Sequence, residues 1–349
     1  MPVKTANELI AFSKAVFQAS GSSEEEATTV AEHLVDSNLA GHDSHGVQRV
    51  PQYIGEIDLG LITPSASIKV EKDWDAGSVI DSHGVYGQVS CAQAMQRAME
   101  KAQKMGIGAV SLFGANHSGR LGTYAETAAA AGMVGMVFVN AGGAGQWVAP
   151  FGGREKRLST NPICIGAPSG GDFPILLDMG TAIVPEGKVR HYQKSGLTCP
   201  DGWLIDGHGN PTNDPNTLYV DPPGAILPVG GPAGHKGFGL GFLIDILTGA
   251  LSGAGVCQKD LTSASGKGGL LFLALNVEQF TSQQGFIDNV STLVEYVKSS
   301  PPAPGFEEVL VPGEFEHRTR QARLKDGIDL PDMTWEEMND TAQKVGAAV

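Results

Sequence analysis

The feature that most constrains the fold of this chain is a central series of apolar segments separated by glycines. Residues 87–105 repeat apolar side chains at three- and four-residue steps, which predicts an amphipathic helix that ends at Gly106. Residues 107–113 predict a strand, residues 121–131 a helix and residues 133–140 a second strand. The alternation predicts a βαβ-like unit inside a mixed α/β domain.

Both ends of the chain predict helices. Thr5-x-x-Glu8 and Ser23-x-x-Glu26 match the capping box that starts a helix, and Thr334-x-x-Glu337 predicts the start of the last one. Further segments complete the centre and the tail: strands at 175–178 and 270–276, and helices at 238–251 and 313–325.

We therefore expect an α/β (mixed α+β) protein with two domains. Residues 1–73 together with 286–349 form a helical domain, and residues 74–285 form a central α/β domain. The helix that follows the turn at residues 41–46 is predicted to start near Val47, because Pro51 fits a first helical turn better than a helix interior.

Composition excludes several classes of protein. Hydrophobic residues make up 41% of the chain, which is enough to bury a core, so a disordered protein is excluded. The net charge of −14 opposes binding to nucleic acid or to an anionic membrane. An anionic ligand would therefore have to be bound by particular local groups of the protein. Residues 1–10 lack a signal-peptide pattern. The apolar run near Leu240 is interrupted by Asp245, so it is too short for a membrane helix. The four cysteines are widely spaced, which suits free thiols in a reducing compartment better than disulfide bonds. We expect a cytoplasmic protein without a membrane span.

Glycine is abundant, at 47 residues, yet the standard nucleotide-binding fingerprints are absent. G-x-G-x-x-G fails, for example at Gly237-Phe238-Gly239, where Phe242 stands in place of the third glycine, and no P-loop motif occurs. Two segments, 116–122 and 234–237, still have the form of an anion site at a helix start. Each alone is equally well explained as a helix-start turn with solvated cations, but two such segments favour an anionic ligand.

His45 is the strongest catalytic candidate from the residues themselves. A histidine that titrates near neutrality can take a proton from a hydroxyl group and return it, and Ser44 can orient or share that proton. Arg49, one helical turn further, can hold a carboxylate with its planar guanidinium. The alternative is that His45 belongs only to a helix-entry turn.

Two other functions of these residues are disfavoured. A metal site at His42, Asp43 and His45 lacks a third ligand at a usual spacing, so we expect no metal. A Ser44–His45 hydrolase pair lacks the G-x-S-x-G elbow. The second Ser-His-Gly triplet, at residues 82–84, has no basic residue at the spacing of Arg49 and is interpreted as a turn.

Seven segments in the same order resemble the second type of malate/L-lactate dehydrogenase, a family of NAD(P)-dependent oxidoreductases without a Rossmann fold. The segments are GHDSHGVQRVPQY (41–53), NHSGRLGTYAE (116–126), STNPICIGAP (159–168), LLDMGTA (176–182), GWLIDGHGNPTNDP (202–215), GHKGFGL (234–240) and VPGEFEHRTR (311–320). Within the family, the resemblance is strongest to the bacterial hydroxycarboxylate dehydrogenase B type.

The resemblance implies a non-Rossmann dinucleotide-binding central domain with a mixed sheet, a homodimer, and NAD as cofactor with NADP left open. It makes Ser44 and His45 the proton-transfer pair, with His117 as a second acid/base candidate, and it assigns Arg49 and Thr160 to the substrate carboxylate. The cofactor residues that it implies are Gly119, Arg120, Leu121, Leu176, Leu177, Asp178, Met179, Gly180, His235, Lys236, Gly313, Glu314, Phe315 and Glu316.

The implied activity is hydride transfer between a nicotinamide cofactor and a 2-hydroxy acid or 2-oxo acid of the lactate, malate or aryl-lactate type. One departure from the family pattern, Pro185-Glu186, bears on the substrate: if Glu186 lines the pocket, it repels a second carboxylate and disfavours malate. Two alternatives stay open: a reductase of cyclic imino acids or keto sugar acids at the same site, and a non-catalytic nucleotide-binding protein.

Overall fold

A computed structural model describes residues 1–141, 145–259 and 267–349. The described strands are β1 (Val3–Lys4), β2 (Lys69–Trp74), β3 (Gly77–Asp81), β4 (Ile107–Ala115), β5 (Met133–Val139), β6 (Ile163–Ala167), β7 (Ile175–Met179), β8 (Leu204–Ile205), β9 (Pro211–Thr212), β10 (Ala225–Ile226), β11 (Gly268–Asn276) and β12 (Ile328–Asp329). The described helices are α1 (Ala6–Ala19), α2 (Glu24–Leu39), α3 (Val50–Asp58), α4 (Gly87–Met105), α5 (Gly122–Ala130), α6 (Glu186–Lys194), α7 (His235–Asp245), α8 (Val277–Phe280), α9 (Gln283–Lys298), α10 (Glu314–Asp326) and α11 (Asp332–Val345).

A mixed sheet of seven strands, in the order β2-β3-β4-β11-β5-β6-β7, forms the centre of the molecule. β3 and β4 are parallel, with α4 as the connection between them, and every other neighbouring pair in this sheet is antiparallel. β4 and β5 therefore run in the same direction, as the predicted βαβ-like unit requires, but β11 lies between them and pairs with both. α4 and α5 bury their apolar faces in the core of this sheet.

The two ends of the chain share a second core. Apolar side chains of α1, α2, α3 and α11 pack together, among them Leu9, Leu34, Ile54 and Met338. β1 pairs with β12, so the first strand is hydrogen-bonded to residues more than 300 positions later. The division into a helical and a central domain remains a prediction, and β2, which belongs to the sheet, crosses the boundary at residue 73.

Helix starts show where local signals succeed and fail. Thr5 and Glu8 form the predicted capping box. Ser23 caps α2, but the Glu26 carboxylate turns instead to the backbone N–H of Ser65, at 2.8 Å. The predicted start of the last helix at Thr334 is wrong, because the helix begins at Asp332, directly after a proline whose extended backbone precedes the first turn.

Candidate active site

The turn that carries Ser44 and His45 is held by one buried side chain of α2. Asn38 accepts the backbone N–H of Val47 at 2.8 Å and donates to the Asp43 carboxylate at 2.6 Å. Residues Asp43–His45 and Val47–Arg49 form two short 3-10 turns, and α3 follows with Pro51 in its first turn. The chain therefore presents Ser44 and His45 at the entrance to a helix, and the helical course from Val47 agrees with the prediction made from Pro51.

The loop between β4 and α5 carries His117 and is fixed by buried charges. The Arg120 guanidinium, fully buried, donates to both carboxylate oxygens of Glu126 at 2.8 and 2.9 Å and lies 3.3 Å from Asp36. Its backbone N–H donates to His33 Nε2 at 3.0 Å. Gly119 has φ +71°, and a Cβ there would lie 2.2 Å from His33 Nε2. Arg120 therefore anchors the loop, and its charge is already balanced by carboxylates.

The two candidate imidazoles lie face to face. The rings of His45 and His117 are stacked, with centroids 5.4 Å apart and planes inclined by 16°. Ser44 Oγ lies 3.1 Å from His45 Nδ1, and the Tyr53 hydroxyl lies 2.7 Å from His117 Nδ1. In turn, Gln88 Nε2 donates to the Tyr53 hydroxyl at 2.6 Å.

Both imidazoles are neutral at neutral pH. Burial, and next the positive charge of Arg49, lower the pKa of His45 to about 3. Burial, and next the neighbouring ring of His45, hold the pKa of His117 well below its ordinary value. A negatively charged ligand beside Arg49 would offset part of this effect, because it would cancel the charge that disfavours the imidazolium.

Arg49 lies beside the turn but outside the wall of the cavity described next. Its Nε donates to the Ser44 carbonyl at 2.6 Å, and its Nη1 donates to Gln52 Oε1 at 2.5 Å. Gln52 also donates to Glu56 Oε1 at 2.7 Å, so one amide joins the guanidinium to a carboxylate. Within the described residues no hydrogen bond engages Arg49 Nη2, which leaves that edge of the guanidinium for a ligand.

A cavity of about 780 Å³ collects part of the predicted site. The predicted residues in its wall are Ser44, His45, His117, Gly119, Arg120, Leu121, Thr160, Asp178, Met179 and Gly180. Asp178 stands where β7 meets the start of α5, and its carboxylate accepts the backbone N–H of Gly122 at 2.7 Å. Burial raises the pKa of Asp178.

The remaining predicted residues lie outside this wall, namely Arg49, Leu176, Leu177, His235, Lys236, Gly313, Glu314, Phe315 and Glu316. Leu176 is buried in the core of the sheet, and Glu314 pairs with Lys298 at 2.6 Å. Gly313 and Glu316 line a second cavity of about 620 Å³ together with loop 168–174. The structure thus divides the predicted cofactor residues between separate surfaces.

Glu186 does not carry the role that its position in the sequence suggested. Its carboxylate accepts from Arg190 Nε and from the Tyr219 hydroxyl, each at 2.9 Å. Pro185, not Glu186, lines the cavity. Among the described residues of the wall, Glu56 is the one glutamate, and its Oε2 is buried and accepts no hydrogen bond from them.

The wall fits a nicotinamide dinucleotide. Asn161 lines the cavity, is fully buried, and its Oδ1 accepts no hydrogen bond from the described residues, so an amide N–H of a ligand has an acceptor there. Gly180 allows close approach of a ligand to the backbone, whereas the missing side chain of Gly119 makes room for His33. The Asp178 carboxylate can accept ribose hydroxyl groups.

Sequence reasoning gave no role to Tyr53, Gln88, Asn161 or Glu56. Tyr53 had a local signal, because it follows Arg49 by one helical turn and so lies on the same side of α3. Gln88 is 35 positions from Tyr53, and no spacing rule connects the two. In the described part of the chain, no group of three or more His, Cys, Asp or Glu side chains is arranged to hold a metal ion.

The family model described as malate/L-lactate dehydrogenase matches residues 5–339. The malate dehydrogenase of Pyrococcus abyssi is 38% identical over 347 residues, covering 97% of this chain and 94% of the relative. Hydroxycarboxylate dehydrogenase B of Escherichia coli K12 is 38% identical over 346 residues, covering 98% and 94%. The crystal structure of the delta1-piperideine-2-carboxylate reductase of Pseudomonas syringae superposes with a TM-score of 0.85 at 26% identity, covering 98% of this chain and 100% of that one.

The protein is therefore a dehydrogenase, an oxidoreductase that interconverts 2-hydroxy acids and 2-oxo acids with a nicotinamide cofactor. Its mixed α/β fold agrees with this class. The chain belongs to the malate/L-lactate dehydrogenase family, as its motifs predicted.

Proposed function

We propose that this chain is an NAD-dependent dehydrogenase of 2-hydroxy acids that carry one carboxylate, with His45 as the proton carrier. The observation that supports the proposal most directly is the stacked pair of imidazoles, His45 and His117, in the wall of a cavity that fits a dinucleotide. A nicotinamide cofactor bound in this cavity, against Asn161 and Asp178, would supply the hydride chemistry at the alcohol carbon of the substrate.

His45 moves the proton that accompanies the hydride. As a neutral ring it takes the hydroxyl proton of the substrate during oxidation and returns it during reduction. Ser44 Oγ, 3.1 Å from His45 Nδ1, turns its hydroxyl hydrogen towards or away from the ring as the charge changes. The carboxylate of a bound substrate cancels part of the Arg49 charge and makes His45 a stronger base at that moment.

Arg49 and Thr160 hold the substrate carboxylate. Arg49 keeps Nη2 available while Nε and Nη1 are fixed by Ser44 and Gln52, so the guanidinium is already oriented. Thr160 lines the cavity, and its carbonyl is fixed by the backbone and hydroxyl of Thr181 at 2.9 and 3.0 Å. Orientation of this kind lowers the barrier by removing freedom that the substrate would otherwise lose in the transition state.

NAD is favoured over NADP by the charges at the cavity. Arg120 and Lys267 are the cationic side chains among the described residues of its wall. The charge of Arg120 is neutralised by ion pairs with Glu126 and Asp36. Asp178 adds a carboxylate that suits a free ribose hydroxyl and repels a phosphate.

The proposal that the substrate carries only one carboxylate rests on Glu56. Its buried Oε2 lies in the wall and has no hydrogen-bond donor among the described residues to offset a second negative charge. A substrate with a neutral side chain avoids this repulsion.

We also propose a homodimer in the cytoplasm. α7, the π-helix Ile246–Ala250 that follows it and the next residue leave large apolar side chains exposed, which supports an interface; they are Leu240, Phe242, Leu243, Ile246, Leu247 and Leu251. All four cysteines are free, which suits a reducing compartment. No helix in the described parts of the chain has the length and apolar character needed to cross a bilayer.

A second candidate, reduction of cyclic imino acids, is favoured by the similarity to the Pseudomonas syringae reductase. The same cofactor and the same histidines would serve it, since a C=N bond replaces the C=O bond.

The test is an absorbance screen of 2-oxo acids and cyclic ketimines with NADH and NADPH side by side. We expect turnover of monocarboxylic 2-oxo acids with NADH and weaker turnover of dicarboxylic ones. Preferred reduction of a ketimine would replace the first candidate by the second, and preference for NADPH would refute the cofactor assignment.

Variants test the residue roles. His45→Ala is expected to lose most turnover while NADH binding, followed by fluorescence, is retained. Arg49→Lys is expected to raise KM sharply, because an ammonium group cannot reproduce the planar guanidinium. His83→Ala, in the exposed second Ser-His-Gly turn, is the matched control and should behave as wild type. Turnover of His45→Ala near the wild-type rate would remove His45 from the mechanism.

A further inference from the structure

A buried chain of hydrogen bonds runs from α4 to His117. Gln88 Nε2 donates to the Tyr53 hydroxyl at 2.6 Å, and the same hydroxyl lies 2.7 Å from His117 Nδ1. Gln88 and Tyr53 are each 1% exposed, so water does not compete for these groups. The backbone of α4 also packs closely against His117, because a Cβ on Gly87 would lie 2.1 Å from the His117 carbonyl oxygen.

Counting hydrogens determines which nitrogen of His117 carries one. A tyrosine hydroxyl has a single hydrogen to donate. The oxygen accepts the Gln88 amide, and among the described residues His117 Nδ1 is the one acceptor within hydrogen-bond distance of the hydroxyl, so that hydrogen points to His117 Nδ1. Burial raises the pKa of Tyr53, so the hydroxyl keeps its hydrogen, and burial lowers that of His117, so the ring stays neutral. A neutral ring with an accepting Nδ1 carries its hydrogen on Nε2.

His45 has no such restraint. Its Nδ1 faces Ser44 Oγ, and a serine hydroxyl rotates freely between donating and accepting. His45 can therefore gain and lose a proton at Nε2 while its other nitrogen keeps a partner. The two stacked imidazoles thus have different chemical capacities, although their rings lie parallel and 5.4 Å apart.

We propose that Gln88 and Tyr53 are positioning residues that hold His117 as a fixed Nε2–H donor to the reacting oxygen of the substrate, and that His45 alone carries the proton. In oxidation, the O–H bond of the substrate breaks and the proton moves to His45, while the His117 N–H bond remains intact and stabilises the oxygen by a hydrogen bond. The role at the reacting oxygen rests on the proposed function, whereas the state of the ring does not.

The primary test is the state of the ring nitrogens of His117, read by nitrogen NMR on the 15N-histidine-labelled protein without substrate. We expect hydrogen on Nε2 in the wild type. Gln88→Glu, read at a pH where the introduced carboxyl is ionised, exchanges an amide donor for an acceptor of the same length, so the Tyr53 hydrogen should turn to the carboxylate and His117 should donate from Nδ1. Gln93→Glu, the same change at an exposed position of α4, is the matched control and should leave the ring as in the wild type.

A second variant tests whether the hydroxyl transmits the effect. Tyr53→Phe keeps the ring in its apolar packing against Phe17 and Tyr86 but removes the hydroxyl through which, among the described residues, Gln88 is hydrogen-bonded to His117. In the Tyr53→Phe background, Gln88→Glu should no longer move the hydrogen on His117. Besides Tyr53 itself, the charged or titratable groups that act on the ring are His45, Arg49 and His33, and none of these three is changed in these variants.

Kinetics supply the second readout. Loss of a preorganised donor at a reacting oxygen lowers kcat by about 100-fold in comparable sites, so Gln88→Glu should lower kcat by about that factor with little change in KM. Hydrogen on Nδ1 in the wild type, or an unchanged ring in Gln88→Glu, would overturn the proposal even if oxo acids are reduced. If no oxo acid is reduced at all, the proposed function fails and the NMR result decides the assignment of His117 by itself.

Discussion

Replacing Arg120 tests whether this residue anchors the site or binds the cofactor. Its side chain is fully buried, makes two hydrogen bonds to Glu126 and lies 3.3 Å from Asp36. Breaking a buried ion pair by removing one partner costs about 3–5 kcal/mol, because the other charge is left without compensation. Here the lower end applies, since Glu126 and Asp36 are about a quarter exposed and Asp36 keeps Arg320.

Arg120→Met should therefore reduce the free energy of unfolding by about 3 kcal/mol. For a chain of 349 residues, the entropy of unfolding is about 0.7 kcal/mol/K, so Tm should fall by about 4 °C if the chain unfolds in one transition. Urea titration and calorimetry measure both quantities. Adding Glu126→Leu, which removes a carboxylate left with only the more distant Arg320 at 3.9 Å, should recover part of the loss.

Arg97→Met is the matched control, because Arg97 is one-third exposed and lies 3.6 Å from Asp73. Such surface pairs contribute about 0–1 kcal/mol. If Arg120→Met is no less stable than this control while NADH affinity falls, the anchoring argument is refuted and Arg120 is a cofactor ligand.

Three other predictions address the site and its supports. Gly119→Ala should weaken NADH binding, seen by fluorescence titration, because its Cβ would lie 2.2 Å from His33; Gly152→Ala, at a similar φ with open space around it, should not. Burial lowers the pKa of His33 to about 4. Between the ordinary pKa of histidine and this value, the unfolded chain binds a proton at His33 and the folded chain does not. Stability should fall as the pH drops from about 6.5 to about 4, and His33→Gln should fall less in urea titrations; an equal fall would refute this cause. Glu56→Gln should raise kcat/KM for dicarboxylic relative to monocarboxylic 2-oxo acids by about tenfold, whereas Glu186→Gln should leave the ratio unchanged.

The sequence predicted elements best where a local signal marks a boundary. Gly106, at φ +82°, ends α4 at the predicted residue, and Pro51 lies in the first turn of α3. Thr334 misled because a capping pattern also occurs inside a helix, and Ser23 was only half right because Glu26 found a tertiary partner in Ser65. Local rules cannot foresee partners that folding brings from elsewhere in the chain.

The same limit applies to the candidate site. His45, Ser44 and His117 meet in one cavity as the family motifs implied, but their roles stay predictions. The Arg120 charge was expected to serve an anion, and the structure pairs it with Glu126, six residues away, and with Asp36 in α2. Gln88 carried no signal at all, because its importance comes only from its contact with Tyr53.

The position of β11 in the sheet has a consequence for how the protein is made on the ribosome. The ribosome synthesises β4 and β5 early. The strand that pairs with both of them, β11 (Gly268–Asn276), follows well over 100 residues later. Until then the nascent chain exposes two unpaired sheet edges, which are the surfaces where chains aggregate. A product truncated before residue 268 would keep those edges for its whole lifetime.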